Sequence, residues 1–146
     1  MKNYFRFFAL FFFLVSADQF FKFVFSDKST CNKNIAWSIS IAPGFFYFFW
    51  IAIFFILIYF FLKSQSRLEK TAFVLIFSGG IANMLDRIAR GCVVDYIDLK
   101  FWPVFNLADI YITIGVILFF LNIIKSKCRK ACPKRNIVSG GRHISF

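Results

Sequence analysis

Four long apolar runs, with the charges gathered between them, set the pattern of this chain. The first is residues 4–25, YFRFFALFFFLVSADQFFKFVF, and the second is residues 45–62, which are 18 residues without a charge. Residues 71–85 and 110–124 are shorter runs. A helix needs about 20 predominantly apolar residues to cross a bilayer. The last two reach that length only if DRIA and FNLAD extend them into the polar interface, giving spans of 71–89 and 106–124. The runs are unbroken rather than amphipathic, which argues against a soluble domain. Lys2 and Arg6 ahead of FFALFFFLV also resemble a secretory signal, with VSA as a cleavage site, but the apolar character continues to Phe25 and favours a retained span. The pattern predicts an all-α integral membrane protein with four transmembrane helices at about 4–25, 45–62, 71–89 and 106–124. Residues 1–124 form a single membrane domain on this reading, and residues 125–146 form a flexible basic tail.

Charge gives the orientation. Lys2 and Arg6 start the chain, Lys63, Arg67 and Lys70 fill the link at 63–70, and seven cations from Lys125 to Arg142 fill the tail. The links at 26–44 and 88–109 instead balance Lys28, Lys33, Arg90 and Lys100 against Asp27, Asp95, Asp98 and Asp109. Cytoplasmic segments carry the excess of Lys and Arg, so both termini are expected inside and the two mixed links outside. The basic tail then lies at the anionic inner leaflet.

Composition sharpens this. The chain is 60% hydrophobic and has 25 Phe, against about 45–50% apolar for a soluble domain. The net charge of +11 does not indicate nucleic-acid binding, because the cations follow the spans and no basic recognition module is present. His143 is the only histidine, which excludes a histidine-rich metal centre, and Cys128 and Cys132 in CRKAC lack the paired spacing of a zinc site. Cys31 and Cys92 both fall on the outward side, where disulfides can form. Sequence does not bring their Cα atoms within bonding range, so the expectation is two free thiols that alkylate without reduction.

Several polar residues stand in the wrong solvent. Asp18 and Lys22 lie four apart within the first span, and a charge at the bilayer centre costs about 2.5–3.5 kcal/mol. They either pair or sit near the outer interface. Gly79, Gly80, Asn83 and Arg87 follow one helical stripe with Asp86 beside it. Helix packing and an interfacial Asp86–Arg87 pair account for part of that stripe. Asn106 suits an N-cap and puts Asp109 at the third helical position, where an acid suits the helix dipole, so Asp109 has a purely structural reading as well. VVDYIDLKFW reads as an extended interfacial segment, in which Asp95 has a solvated-loop reading.

By this topology Asp18, Asn83, Arg87, Asp95, Asn106 and Asp109 all lie near one depth on the outward side. Two carboxylates brought within about 3 Å share a proton. One then takes a proton from water while the other polarises a scissile carbonyl. With His143 alone in the tail, no Ser–His or Cys–His pair is available. Aspartyl hydrolysis is the natural enzymatic reading. Its rivals are a small transporter or accessory subunit using Asp18 and Asp109 as a proton relay, and a non-enzymatic helix-packing subunit.

The same residues carry a resemblance to a family over nearly the whole chain. ADQFFK at 17–22 resembles Asp-Gln-x-x-Lys of the bacterial lipoprotein signal peptidases, the type II signal peptidases of the inner membrane. NKNIAWS at 32–38 resembles their Asn-x-Gly-x-Ala-Phe/Trp-Ser loop. GGIANMLDRIARGCVVDYID at 79–98 resembles Gly-Gly-x-x-Gly-Asn-x-x-Asp-Arg followed by Gly-x-Val-Val-Asp-Phe, and FNLAD at 105–109 resembles Phe-Asn-x-Ala-Asp. Each motif is weak alone; their joint order and spacing are specific.

The resemblance implies that Asp95 and Asp109 are the catalytic pair. It implies that Asn83, Arg87 and Asn106 surround them and bind substrate, and that Asn32, Asp18, Lys22 and Asp86 are further motif positions in supporting roles. It implies a substrate: prolipoproteins whose Cys carries diacylglycerol, cut just before that Cys. It also implies four helices with a small extracytoplasmic β-rich cradle, no metal and no other cofactor. On this reading the enzyme is a multi-pass monomer of the bacterial inner membrane, in contact with its lipid, with the active site at the periplasmic face. Asn34 stands where the family has Gly, and Ala82 where it has Gly. Asn tolerates a left-handed backbone better than other non-Gly residues, and Ala82 adds one methyl, so neither departure removes a chemical group.

Overall fold

The computed structural model describes residues 2–33 and 43–131. Within them the chain forms helix α1 (Lys2–Val24), a 3-10 turn (Ser26–Lys28), strand β1 (Thr30–Asn32), helices α2 (Pro43–Lys63) and α3 (Arg67–Arg90), strand β2 (Val93–Asp95) and helix α4 (Leu107–Ala131). Each apolar run is a helix. Within the loop motif at 32–38, Asn34 and the residues after it lie outside the described residues, as does the chain from residue 132, including Cys132 and His143. The segment from residue 125, expected as a flexible tail, begins instead as helix, since α4 continues to Ala131. Lys and Arg are good helix formers, and cations near a helix C-terminus suit its dipole.

Three described stretches are long and apolar enough to cross a membrane: Tyr4–Val24, Arg67–Arg90 and Leu107–Cys128. The described apolar stretch of α2, Phe48–Lys63, is shorter. The molecule is inside-out relative to a soluble protein. Phe5, Phe8, Phe13, Phe55, Ile117 and Phe120 are exposed on the helices, while Asp18, Lys22, Ser78, Asn83, Asp86 and Asn106 are buried between them. In lipid an apolar surface needs no cover, and polar side chains gain by meeting one another. This is the arrangement of an integral membrane protein.

Helix α3 is the hub, touching α1, α2 and α4. Its contact with α4 is the closest and depends on two glycines. A Cβ on Gly79 would strike the Ala108 carbonyl oxygen and come within 2.6 Å of the Ile112 side chain. A Cβ on Gly115 of α4 would come 2.7 Å from the Ala72 carbonyl oxygen. The helices approach at backbone distance at these two points, which sets the register of Asn83 on α3 against Asp109 on α4. Gly79→Ala is expected to cost about 1–3 kcal/mol through overpacking, because Ala108 presents rigid backbone. A thermal unfolding curve in detergent checks this, and an unchanged midpoint would count against the close approach. Gly80 faces elsewhere, towards Trp50 of α2.

The β elements are short. β1 pairs antiparallel with β2, with Thr30 opposite Asp95, Cys31 opposite Val94 and Asn32 opposite Val93. Beyond β2, Ile97 and Phe105 form a bridge that closes a loop whose tip holds Lys100 at φ 67°, with its backbone N–H donating to Asp98 at 2.8 Å. The expectation of free Cys31 and Cys92 is corrected here. They form a disulfide, with Cα atoms 5.5 Å apart across a sequence separation of 61. The pairing register produces this: Cys31 lies opposite Val94, two residues from Cys92, and separation along the chain carries no information about that.

Candidate active site

The site is built where three elements end. α3 stops at Gly91, whose φ of 73° is the left-handed conformation glycine adopts at no cost and whose N–H donates to the Arg87 carbonyl oxygen at 3.1 Å. The chain then turns directly into β2, whose last residue is Asp95, 3% exposed. α4 begins with a reciprocal capping box. The Asp109 N–H donates to Asn106 Oδ1 at 3.0 Å, and the Asn106 N–H donates to Asp109 Oδ2 at 3.2 Å. The capping role foreseen for Asp109 is therefore real, and the same carboxylate also lines a cleft together with Asp95. The structural and chemical readings of this residue are compatible.

Amides link the two carboxylates. Because Asn106 Oδ1 is engaged by a backbone N–H, its Nδ2 must face the other way. It donates to Asp95 Oδ1 at 2.7 Å and to Asn83 Oδ1 at 3.1 Å. Asn83 Oδ1 also accepts from Lys22 Nζ at 2.9 Å, so Asn83 Nδ2 is left to donate to Asp109 Oδ1 at 2.8 Å. From β1, Asn32 Nδ2 donates to Asp95 Oδ2 at 3.0 Å. The orientations of Asn106 and Asn83 follow from partners that can only donate, and that of Asn32 from a carboxylate acceptor. Burial pushes the Asp95 carboxyl above its ordinary range. The hydrogen bond from Asn32 opposes this, the Asp109 charge adds to the rise, and Asn106 and Lys22 oppose it again.

Asp18, Lys22 and Asp86 sit behind the cleft. Lys22 is fully buried and its ammonium reaches Asp18 at 2.7 Å, Asp86 at 2.8 Å and Asn83 at 2.9 Å, one acceptor for each proton. Asp18 Oδ1 accepts the Ala108 N–H at 2.8 Å, so a carboxylate from α1 caps an early N–H of α4. Asp86 accepts from the Val94 N–H at 3.3 Å and thereby anchors β2. These three residues position the site without entering it.

Arg87 lines the cleft with Asn32, Asn83, Asp95 and Asp109, in a space of about 310 Å³, at the small end of the range for ligand sites. Sequence reasoning missed Gln19, which donates to Asp86 at 3.1 Å and to the Ala82 carbonyl at 3.2 Å. It also missed Arg90, paired with Asp86 at 3.0 Å. Gln19 stood inside a quoted motif and Arg90 one helical turn after Asp86, so a signal was present for both. Trp102 and Phe105 also line the cleft; Phe105 opened the quoted FNLAD motif, while only aromatic character marked Trp102. Among the described residues no group of three or more His, Cys, Asp or Glu is placed to hold a metal ion. A buried and a half-buried carboxylate held on one amide network are suited to proton-sharing attack of water on a carbonyl.

Comparison with known proteins gives a consistent outcome. The family model described as signal peptidase (SPase) II matches residues 9–125. The chain is 46% identical over 99 residues to a lipoprotein signal peptidase of Caldicellulosiruptor bescii, covering 66% of each. It is 39% identical over 106 residues to one of Staphylococcus aureus, covering 68% of this chain and 65% of the relative. The chain thus spans about two thirds of the length of these curated relatives. A bacterial membrane enzyme solved by the in meso method at 2.3 Å superposes with a TM-score of 0.78 at 31% identity, over 86% of this chain and 91% of that one. A second, at 1.9 Å, gives 0.74 at 31% identity, over 82% and 93%.

Proposed function

The chain belongs to the signal peptidase II family, and on that premise we propose that it is an intramembrane aspartyl endopeptidase. It removes signal peptides from diacylglyceryl-modified prolipoproteins by cutting just before the lipidated Cys. The observation that carries the chemistry is the pair of amides that joins the two carboxylates: Asn106 Nδ2 donates to Asp95 Oδ1 and to Asn83 Oδ1, and Asn83 Nδ2 donates to Asp109 Oδ1.

Burial pushes the Asp95 carboxyl above its ordinary range, which suits it to the role of acid in the pair, with Asp109 as the base. Asp109 takes a proton from water as its oxygen attacks the scissile carbonyl, while Asp95 gives its proton to the carbonyl oxygen. As the C–N bond of the tetrahedral intermediate breaks, Asp109 passes the proton it took from water to the leaving amine of the Cys, and Asp95 recovers a proton from a hydroxyl of the intermediate as the new carboxyl group forms. Arg87 and Asn83, at the cleft wall, hold the substrate backbone. A proton relay through Asp18 and Asp109 has less support, since Asp18 is sealed under Lys22 and the Ala108 N–H.

All four helices span the bacterial inner membrane in this reading, with both termini cytoplasmic, the site at the periplasmic face and the protein acting as a monomer. Its substrate arrives laterally through the bilayer. The direct test is incubation of purified protein with a diacylglyceryl-modified prolipoprotein, with release of the signal peptide as the expected result. Reporters fused after residue 65 and near residue 30 are expected to read cytoplasm and periplasm respectively. The opposite readings would put Asp95 and Asp109 on the wrong side.

A further inference from the structure

The proposed chemistry uses neither Cys31 nor Cys92, yet their cross-link lies between the two strands that carry Asn32 and Asp95. β1 is three residues long, and Thr30 and Cys31 in it are exposed. It has one partner strand, and an isolated two-stranded ribbon is marginal. Its side-chain ties to β2 include the Thr30 hydroxyl on the Asp95 carbonyl at 3.2 Å and the Asn32 amide on the Asp95 carboxylate at 3.0 Å. Elements with so few buried contacts open locally. The disulfide closes this ribbon one residue from Asn32 and three from Asp95.

We propose that the Cys31–Cys92 disulfide is a positioning element of the site, holding the Asn32 amide on the Asp95 carboxylate, so that cleavage depends on the redox state of this pair. The inference rests on the reading of Asp95 as half of the catalytic dyad. Exposed Cys31 gives a dithiol reductant access. Two electrons and two protons pass to the cystine, its S–S bond breaks, two S–H groups form, and the dithiol closes to its own disulfide. β1 is then free to leave β2, and Asp95 loses the donor on its Oδ2. The charged groups facing Asp95 are Asp109 from α4, Lys22 from α1 and Arg87 from α3. None of them is displaced by the reduction. Loss of the Asn32 donor removes stabilisation of the ionised carboxyl, so Asp95 keeps its proton to higher pH.

The test compares cleavage of a diacylglyceryl-modified prolipoprotein by oxidised protein, by protein reduced with dithiothreitol and alkylated, by Cys31→Ser/Cys92→Ser and by Asn32→Ala, with Cys128 and Cys132 blocked beforehand in every sample. Cys31 and Cys92 are expected to alkylate only after reduction. Reduction and the double serine variant are each expected to lower kcat/KM by about tenfold and to move the basic limb of the pH profile upward, as Asn32→Ala does. Reducing the Asn32→Ala protein is expected to add little, because both changes remove one hydrogen bond. This last measurement, with reduction in place, decides the matter even if the serine variant does not fold. Equal cleavage by oxidised and reduced protein would overturn the proposal, as would losses that multiply in the Asn32→Ala background. An oxidised wild-type protein that does not cleave at all would overturn the peptidase reading and this inference with it.

Discussion

Asp95→Asn and Asp109→Asn are each expected to lower kcat/KM for prolipoprotein cleavage by about 10²–10⁴-fold, the scale of a lost general acid or base. The protein should still insert and fold. Asn at position 109 keeps an oxygen for the Asn106 N–H that Asp109 now accepts at 3.2 Å, so the helix cap survives. The double variant should be scarcely worse than either single one, because the two groups act as a unit. Activity should follow a bell-shaped pH profile that belongs to the pair. At low pH both carboxyls are protonated and no base remains; at high pH both are ionised and no acid remains. Burial raises Asp95 from 3.8, so the basic limb should lie above the ordinary carboxylate range. Asp98→Asn is the control. Asp98 is exposed, and its ammonium partner Lys100, at 2.6 Å, holds its carboxyl below the usual value. It should keep most activity. Full activity in Asp109→Asn with only a lower unfolding midpoint would leave that residue a cap and nothing more.

Lys22→Met is expected to have the largest effect on stability. The cluster holds Asp18, Asp86, Lys22 and Arg90 at zero net charge, with Asp18, Asp86 and Lys22 fully buried. Removing the ammonium leaves two carboxylates with one partly exposed guanidinium between them. Breaking a buried ion pair from one side costs about 3–5 kcal/mol, a large part of the roughly 5–15 kcal/mol that holds a typical protein folded. Asp18→Asn added to Lys22→Met restores neutrality and should recover part of the loss. Thermal unfolding in detergent reads both. A single variant as stable as the double one would mean that charge balance does not hold this cluster together. Surviving protein should also cleave more slowly, because Asn83 loses one of the two donors, Lys22 and Asn106, that turn its amide towards Asp109.

The positions of the four helices were legible in the sequence because length and unbroken apolar character are one-dimensional properties. A bilayer demands about 20 apolar residues per helix whatever surrounds it; residues 4–25 met that demand, and the 18 residues of 45–62 came close to it, without reference to any neighbour. The capping box at Asn106 and Asp109 was legible for the same reason, since its partners lie three residues apart. The candidate site residues were legible through motif order, and all nine of them lie in or directly behind one cleft region. The true end of α4 was obscured because a basic segment suits a solvated tail and a helix C-terminus equally well.

What only the tertiary structure decided is which of those residues meet. Asp95 and Asp109 are brought together by Gly79 and Gly115, which let α3 and α4 close to backbone distance, and by the turn at Gly91. Lys22 reaches Asn83 across a separation of 61 residues, and Cys31 reaches Cys92 across the same separation. The composition of the strands gave no sign that those two thiols would pair. The physical reason is common to these cases. Apolar character and local capping act over a few residues and leave a periodic or spaced trace along the chain. A hydrogen bond, an ion pair or a disulfide between distant segments depends on helix approach and strand register, which are settled only when the segments pack.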